Sequence, residues 1–396
     1  MKDFNYYTPT EVIFGKESED KIAALVKKYG GKRVLLHYGG KSAERSGLLG
    51  KVEKILADNG IEYVKFGGVQ ANPRLSMVYE GIELVKTNGT DFILAIGGGS
   101  VIDSAKAIAC GAVSDFDVWD LFIGKALVEN TLPVGVVLTL PAAGSEMSTG
   151  CVITNETTGQ KRAFDSDLVR PKFAVMNPER TYTLPPYQTA CGATDIMMHT
   201  MERYFSLEDD MMLTDAIAEG LMRTVKDVTP KVLAAPDDYV LRSQIMWAGS
   251  LAHNGLTGCG TVGDWATHLL EHELSGLLDV AHGAGLAAIW PHWAEYVIDV
   301  NPKRFAQFAV NVMGVEPVVG DEKATGLRGI EAMKNFYHAI GMPTNIPELI
   351  GRPVTDEEIE AMAEKATLGR TITQGNFKVL DYDAIKEVYR MANRQD

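Results

Sequence analysis

The chain has 396 residues, 46% of them hydrophobic and 23% charged, with a formal net charge of −14. That length allows two domains and a large core without covalent staples. The acidic balance argues against nucleic acid or an anionic membrane surface as partner, while a nest of backbone N–H groups could still take a phosphate.

In chain order, residues 1–16 read as an extended arm in which Glu11–Phe14 is a short strand stopped by Gly15. A helix is expected at about 17–29. Arg33–His37 is a continuous apolar run of the kind buried inside parallel sheets. It ends in Tyr38-Gly39-Gly40-Lys41-Ser42, and a helix to about Asn59 follows. Glu62–Phe66 is strand again, and Pro73 to about Thr87 is helix. Asp91–Ile96 is a strong strand that runs through Gly97-Gly98-Gly99-Ser100 into a helix start at Val101-Ile102-Asp103. Pro133–Thr139 and Lys172–Met176 complete the expected strand set. Strands alternating with helices predict a parallel α/β sheet with right-handed crossovers.

After Pro185-Pro186 no comparable β-branched run recurs. Apolar residues fall at helical spacing over Leu213–Leu233 and Ile330–Ile340, with Pro302, Gly341-Met342-Pro343 and Gly351-Arg352-Pro353 as punctuation. The expected division is an α/β domain over residues 1–183 and an all-α domain over 184–396. Cys110, Cys151, Cys191 and Cys259 are scattered, which reads as reduced thiols in a cytoplasmic protein. No signal-peptide run opens the chain, and no apolar window of about 18 residues offers a membrane span.

Three stretches carry the chemistry. His268 and His272 are four apart in Thr267-His268-Leu269-Leu270-Glu271-His272, so a helix puts them on one face. Asp195 and His199 repeat that spacing upstream, and His282-Gly283 follows downstream, trailed by small residues that suit a close backbone approach. Each pair alone is an ordinary helical polar pair. Together they hold four of the chain's 8 histidines. A carboxylate with imidazoles from different helices makes a cage for a divalent first-row metal. His37, His253, His292 and His338 read as ordinary histidines.

Gly97-Gly98-Gly99-Ser100 sits between a buried strand and a helix, where free N–H groups and the helix dipole favour a pyrophosphate. It is neither G-x-G-x-x-G nor a Walker loop. A tight turn that simply needs glycine explains the residues too, but three glycines followed by a hydroxyl favour the phosphate. Gly39-Gly40-Lys41-Ser42 lacks the acidic residue that would hold a ribose 2′-hydroxyl. Space, Lys41 and Ser42 favour NADP over NAD, although an exposed turn with an ordinary surface lysine explains these residues about as well. A stretch of small and hydroxyl residues such as Thr139–Gly144 can sit under a cofactor, but alone it reads as ordinary loop chemistry.

Taken together, Gly97-Gly98-Gly99-Ser100-x-x-Asp103-x-x-Lys106, Thr139–Gly144, Asp195-x-x-x-His199, His268-x-x-x-His272 and His282-Gly283 resemble the iron-containing (group III) alcohol dehydrogenase family. The likeness is to its NADPH-dependent butanol dehydrogenase and aldehyde reductase branch. The resemblance implies a Rossmann-like N-terminal domain, an α-helical C-terminal domain in the dehydroquinate synthase-like arrangement, and a site in the cleft between them. It implies Asp195, His199, His268 and His282 as ligands of iron or zinc, and His272 as a non-ligand facing the nicotinamide. It sets Gly40 at the cofactor-selecting position, Gly97–Ser100, Asp103 and Thr139 along the cofactor, and Lys161 near a cofactor lysine. It also suggests a homodimer with the 1–16 arm as contact, although an edge strand within one subunit explains the arm equally well.

The expected function is reversible hydride transfer between NADP(H) and a primary alcohol or aldehyde at a metal acting as Lewis acid. Rivals are an NAD-dependent polyol or glycerol-type dehydrogenase or a dehydroquinate-synthase-like lyase on the same fold. A zinc peptidase using His268-x-x-Glu271-His272 and a non-catalytic binding protein are further rivals.

Overall fold

A computed structural model describes residues 1–394. Its strands are β1 (Glu11–Phe14), β2 (Arg33–Tyr38), β3 (Glu62–Phe66), β4 (Phe92–Gly97), β5 (Val134–Leu138), β6 (Gly150–Asn155), β7 (Gln160–Asp165) and β8 (Phe173–Met176). Six of them form one sheet in the order β1-β8-β5-β4-β2-β3, and every pairing in it is parallel. Alternate residues of one strand feed two separate cores. Ile93 and Ala95 pack on one face of the sheet, and Phe92, Leu94 and Ile96 on the other. Burial on both faces is why these strands read as unbroken apolar runs.

Two strands lie outside the expected set. β6 and β7 form an antiparallel hairpin, Thr154 opposite Lys161. The side chain of Asn155 accepts from the N–H groups of Thr157 and Thr158, and Gly159 turns at φ 62°. This side-chain turn stands where a two-residue hairpin turn would have been easier to read. The helix expected to run to Asn59 is also broken. Gly47 at φ 73° separates Ser42–Arg45 from Leu48–Asp58.

The helices that matter below are α1 (Gly99–Gly111), α2 (Pro186–Tyr204), α3 (Met212–Ala234), α4 (Tyr239–His253), α5 (Ala266–Leu278) and α6 (His282–Val297). By its internal packing the chain falls into two units. One holds Tyr7–Leu184 with Asp237–Asn254; the other holds Met1–Tyr6, Pro185–Pro236 and the chain from Gly255 onward. The first is the parallel α/β layer structure; the second is helical. The boundary near 183 therefore needs two corrections. The first six residues belong with the helical unit, where Lys2 pairs with Glu208 at 2.6 Å. α4 belongs with the α/β unit, because Met246 is buried in its core and Ser250 donates to the buried Glu146 at 2.5 Å. Helical spacing identifies a helix but not which layer it covers. Among the described residues no helix is long and apolar enough to cross a membrane.

Candidate metal centre and nucleotide edge

α2, α5 and α6 carry the candidate metal ligands of the helical unit. Asp195, His199 and Glu202 stand at i, i+4 and i+7 on α2; His268, Glu271, His272 and Ser275 stand at i, i+3, i+4 and i+7 on α5. Those spacings put each set on one helix face. His282 opens α6. Glycine lets these helices meet. A Cβ on Gly283 would lie 2.1 Å from the Cys191 carbonyl oxygen of α2, and one on Gly285 would lie 2.8 Å from Glu271 Oε1 of α5. The close approach suggested by the small residues after His282 is thus an approach to α2 and α5.

Asp195 Oδ1 is the centre of the cluster. His268 Nε2 and His282 Nε2 each lie 3.7 Å from it, and His199 Nδ1 lies 3.2 Å away. Donors of a tetrahedral site with bonds of about 2.1 Å stand roughly 3.4 Å apart, so the separations among Asp195, His268 and His282 suit one ion, while His199 lies close to Asp195 but outside that mutual set. Asp195, His268 and His282 offer ligand atoms that all lie within 4.8 Å of one another. His199 adjoins them, its ring centroid 4.6 Å from that of His268. Asp195 Oδ1 and His268 Nε2 are buried and make no hydrogen bond. At 3.7 Å they are too far apart to bond each other, and orphaned buried polar atoms are costly. A cation between them resolves that cost, and the hard and borderline donors suit iron or zinc alike.

The local electrostatics agree. Burial works against protonating His268, but the nearby carboxylates of Asp195 and Glu202 outweigh it and raise the ring to about 9. Burial, then the charge of Glu202, pushes Asp264 up to about 7. The cage draws positive charge. Trp265 makes T-shaped contacts with the rings of His199 and His268, and the Arg203 guanidinium lies over its ring at 4.5 Å. It holds φ 64° at the start of α5, a left-handed conformation that an aromatic residue rarely adopts. His272 lies beside the cage, 5.8 Å between ring centroids from His282.

In the α/β unit, the chain leaves β2 toward β3 on one side and leaves β4 toward β5 on the other. The sheet therefore reverses its winding between β2 and β4, and ligands of open α/β sheets bind outside the strand ends at such a point. Both glycine-rich turns stand there: Gly39–Ser42 after β2 and Gly97–Ser100 after β4. The Gly98 carbonyl accepts from Val101 and Ile102, leaving the Gly99 and Ser100 N–H groups ahead of the first bonds of α1. A Cβ on Gly99 would sit 2.9 Å from Ala143 Cβ, so the turn also needs glycine for packing. Gly40 is exposed with nothing within 4 Å of a Cβ there. Lys41 and Ser42 are exposed beside it.

Thr139 follows β5, its N–H bonded to the Gly97 carbonyl at 3.0 Å. Lys161 is buried on β7. Asp103 is a brace as much as a candidate contact. Its Oδ1 accepts from Ser145 and its Oδ2 from the Val152 N–H. Lys106, fully buried, donates to the Ser148 and Gly150 carbonyls. The histidines read as ordinary have ordinary surroundings. His37 bridges the Phe66 carbonyl and Ser104, and His292 meets the Thr344 carbonyl.

A peptidase would need Glu271 turned toward a water as base. Both of its oxygens are instead engaged, by His282 Nδ1 and by Ser275 Oγ. Glu202 and Ser275 were not singled out in the sequence. Their signal was position: Glu202 is three residues after His199 on the same helix face, and Ser275 four after Glu271.

Phosphate-ready turns on a parallel sheet and a cation cage on helices are the equipment of a nucleotide-dependent metallo-oxidoreductase. Comparison with known proteins narrows that class. The description "Iron-containing alcohol dehydrogenase" matches residues 9–178, and "Fe-containing alcohol dehydrogenase family, C-terminal" matches residues 189–393. The chain belongs to the iron-containing alcohol dehydrogenase family, which implies NAD(P) and a divalent metal. It is 39% identical to a probable NADH-dependent butanol dehydrogenase 1 of Bacillus subtilis, covering 98% of this chain and 99% of that one. It is 38% identical to the NADPH-dependent aldehyde reductase YqhD of Escherichia coli, covering 88% and 89%. The crystal structure of an NADH-dependent butanol dehydrogenase A from Thermotoga maritima superposes with a TM-score of 0.95 at 37% identity, covering 100% and 99%. Family and geometry together set the peptidase and the non-catalytic readings aside.

Proposed function

We propose that this chain interconverts primary alcohols and aldehydes with NADP(H), and that Asp195, His199, His268 and His282 hold its divalent metal. The observation that carries the reading is Asp195 Oδ1, buried without a hydrogen bond and faced by two Nε2 atoms at 3.7 Å. In the reductive direction, aldehyde, NADPH and a proton give alcohol and NADP+. A bound divalent ion supplies Lewis acidity toward the substrate oxygen, and the nicotinamide supplies the hydride.

The residues divide the remaining work. The Gly97–Ser100 turn at the start of α1 offers N–H groups to the pyrophosphate, and Thr139 and Lys161 flank the cofactor. Asp103 and Lys106 brace α1 against β6 and the loop before it, so the turn keeps its shape. His272, beside the cage, carries the proton that the alcohol oxygen gains or loses. Trp265 and the buried helix faces keep bulk water from the reacting atoms.

Cofactor choice rests on residues 39–42. The relatives named above are divided between NADH and NADPH. Gly40 places no carboxylate against a 2′-phosphate, its Cβ direction is open, and Lys41 offers charge. These features favour NADP(H). Iron and zinc both suit the donors. An NAD-dependent polyol dehydrogenase on the same fold is the second reading; the NADH-dependent relatives favour its cofactor, but they are named butanol dehydrogenases.

The test combines elemental analysis of the purified chain with an NADPH-oxidation screen over butanal, glyoxal-type and aromatic aldehydes. We expect one divalent ion per chain and NADPH consumption with at least one aldehyde. Asp195→Ala and His268→Ala should lose metal and turnover while staying folded. Full activity in either metal-free variant would overturn the ligand assignment.

A further inference from the structure

We propose that Glu202 and Glu271 are positioning residues that aim His268 and His282 at the ion by fixing which ring nitrogen carries the proton. The inference rests on the metal reading above.

Both histidines present the same atom, Nε2, to the same oxygen of Asp195 at the same 3.7 Å. Both hold their other nitrogen against a buried glutamate. His268 Nδ1 lies 3.1 Å from Glu202 Oε1, and His282 Nδ1 bonds Glu271 Oε2. An ionised carboxylate only accepts, so in the neutral ring each Nδ1 carries the proton and each Nε2 keeps its lone pair. That is the tautomer a ligand needs, and a carboxylate behind the ring also raises its basicity.

The glutamates are themselves held in place. Glu202 Oε1 also accepts the His268 backbone N–H at 2.9 Å, which ties α2 to the start of α5. Ser275 donates to Glu271 Oε1, one turn further along α5. Glu202 is 2% exposed and Glu271 0%. Burying a carboxylate is expensive, and a core histidine does not require one. His37 in the α/β unit is satisfied by a carbonyl and a hydroxyl alone. Two charged acceptors behind two cage histidines, and neutral partners behind His37, mark a device for the cage rather than ordinary core satisfaction.

Glu202→Gln and Glu271→Gln keep size and an acceptor oxygen but remove the charge. Ser275→Ala keeps the carboxylate and removes only its anchor. Each metal-free protein is titrated with Co2+, reading the dissociation constant and the visible ligand-field band, alongside its melting temperature. Asp195→Ala serves as ligand control. We expect each glutamate variant to bind Co2+ about 10–100-fold more weakly with a displaced band, Ser275→Ala to lose less, and metal-free melting to change little. Wild-type affinity and an unmoved band in both glutamate variants, with Asp195→Ala unable to bind, would overturn the positioning role and leave the metal reading standing. A lowered melting temperature with an unmoved band would likewise overturn it, as a purely structural effect. If wild type bound Co2+ no better than Asp195→Ala, the metal reading itself would fall and this inference with it.

Discussion

Gly283→Ala tests the cage through its scaffold, without touching a ligand. The added Cβ would lie 2.1 Å from the Cys191 carbonyl oxygen and 2.7 Å from its carbon, both backbone atoms of α2. Close C···O contacts run at about 3.3 Å or more, so α6 must retreat from α2 by roughly 1 Å. His282 is the preceding residue and must move with it. Metal–ligand distances tolerate only about 0.2 Å, so the retreat is several times what the site accepts. Overpacking of this kind costs about 1–3 kcal/mol, and a backbone obstacle puts it at the upper end. In a unit of about 200 residues, that lowers Tm by roughly 5–10 °C. The assay pairs calorimetry of the metal-free chain with Co2+ titration, and affinity should fall at least about tenfold. An unchanged Tm and Co2+ affinity would refute the reasoning, since no backbone contact so close could then exist. Gly285→Ala is the comparison. It meets the Glu271 side chain at 2.8 Å, which can give way more readily, so Tm should fall less while metal affinity still drops.

Gly40→Asp should move kcat/KM from NADPH toward NADH, because a carboxylate there repels a 2′-phosphate and accepts from a 2′-hydroxyl; no change in the ratio would put the selecting residue elsewhere. His37 is buried and held near 4 by burial, against a small opposing effect of its bond to the Phe66 carbonyl. Its folded value lies below its ordinary 6.5, so it adds stability that is full above that pH and is lost as pH falls toward 4. The change is about 3 kcal/mol. Urea unfolding of wild type and His37→Leu between pH 4 and 7.5 should therefore show a shallower pH slope in the variant; parallel slopes would contradict this. Thr355→Ala removes half of a reciprocal cap in which Thr355 and Glu358 bond each other's backbone N–H. It should cost about 1 kcal/mol in denaturant unfolding with activity unaltered.

The parallel sheet was legible because burial on both faces leaves unbroken apolar runs at β2, β4 and β5. The β6–β7 hairpin was not. Its strands, Gly150–Asn155 and Gln160–Asp165, mix burial and exposure, and its turn is built by the side chain of Asn155. α4 was readable as a helix, but its assignment to the α/β unit depends on Met246 and Ser250 finding partners far away in sequence. At the cage, spacing put Asp195 with His199 and His268 with His272 on helix faces. It could not say which nitrogen of each ring faces inward. In the structure His268 uses Nε2 toward Asp195 while His199 is nearest through Nδ1. Glu202 shares a helix face with His199, but the residue it bonds lies 66 positions away, which spacing does not show.

Building the cage on helices rather than loops has a physical consequence. Asp195, His268 and Glu202 carry polar groups into an interior where each would be costly alone. α2 and α5 hold them on regular helix faces, and Asp195 Oδ1 and His268 Nε2 face each other across 3.7 Å with no hydrogen bond. Rigid elements place a first shell more accurately than loops do. The glycines at 283 and 285 let α6 close on the Cys191 backbone of α2 and the Glu271 side chain of α5. The strained Trp265 fits the same logic. Its left-handed turn starts α5 so that His268 arrives one turn later against Asp195, a local cost that persists because the surrounding packing over-determines it.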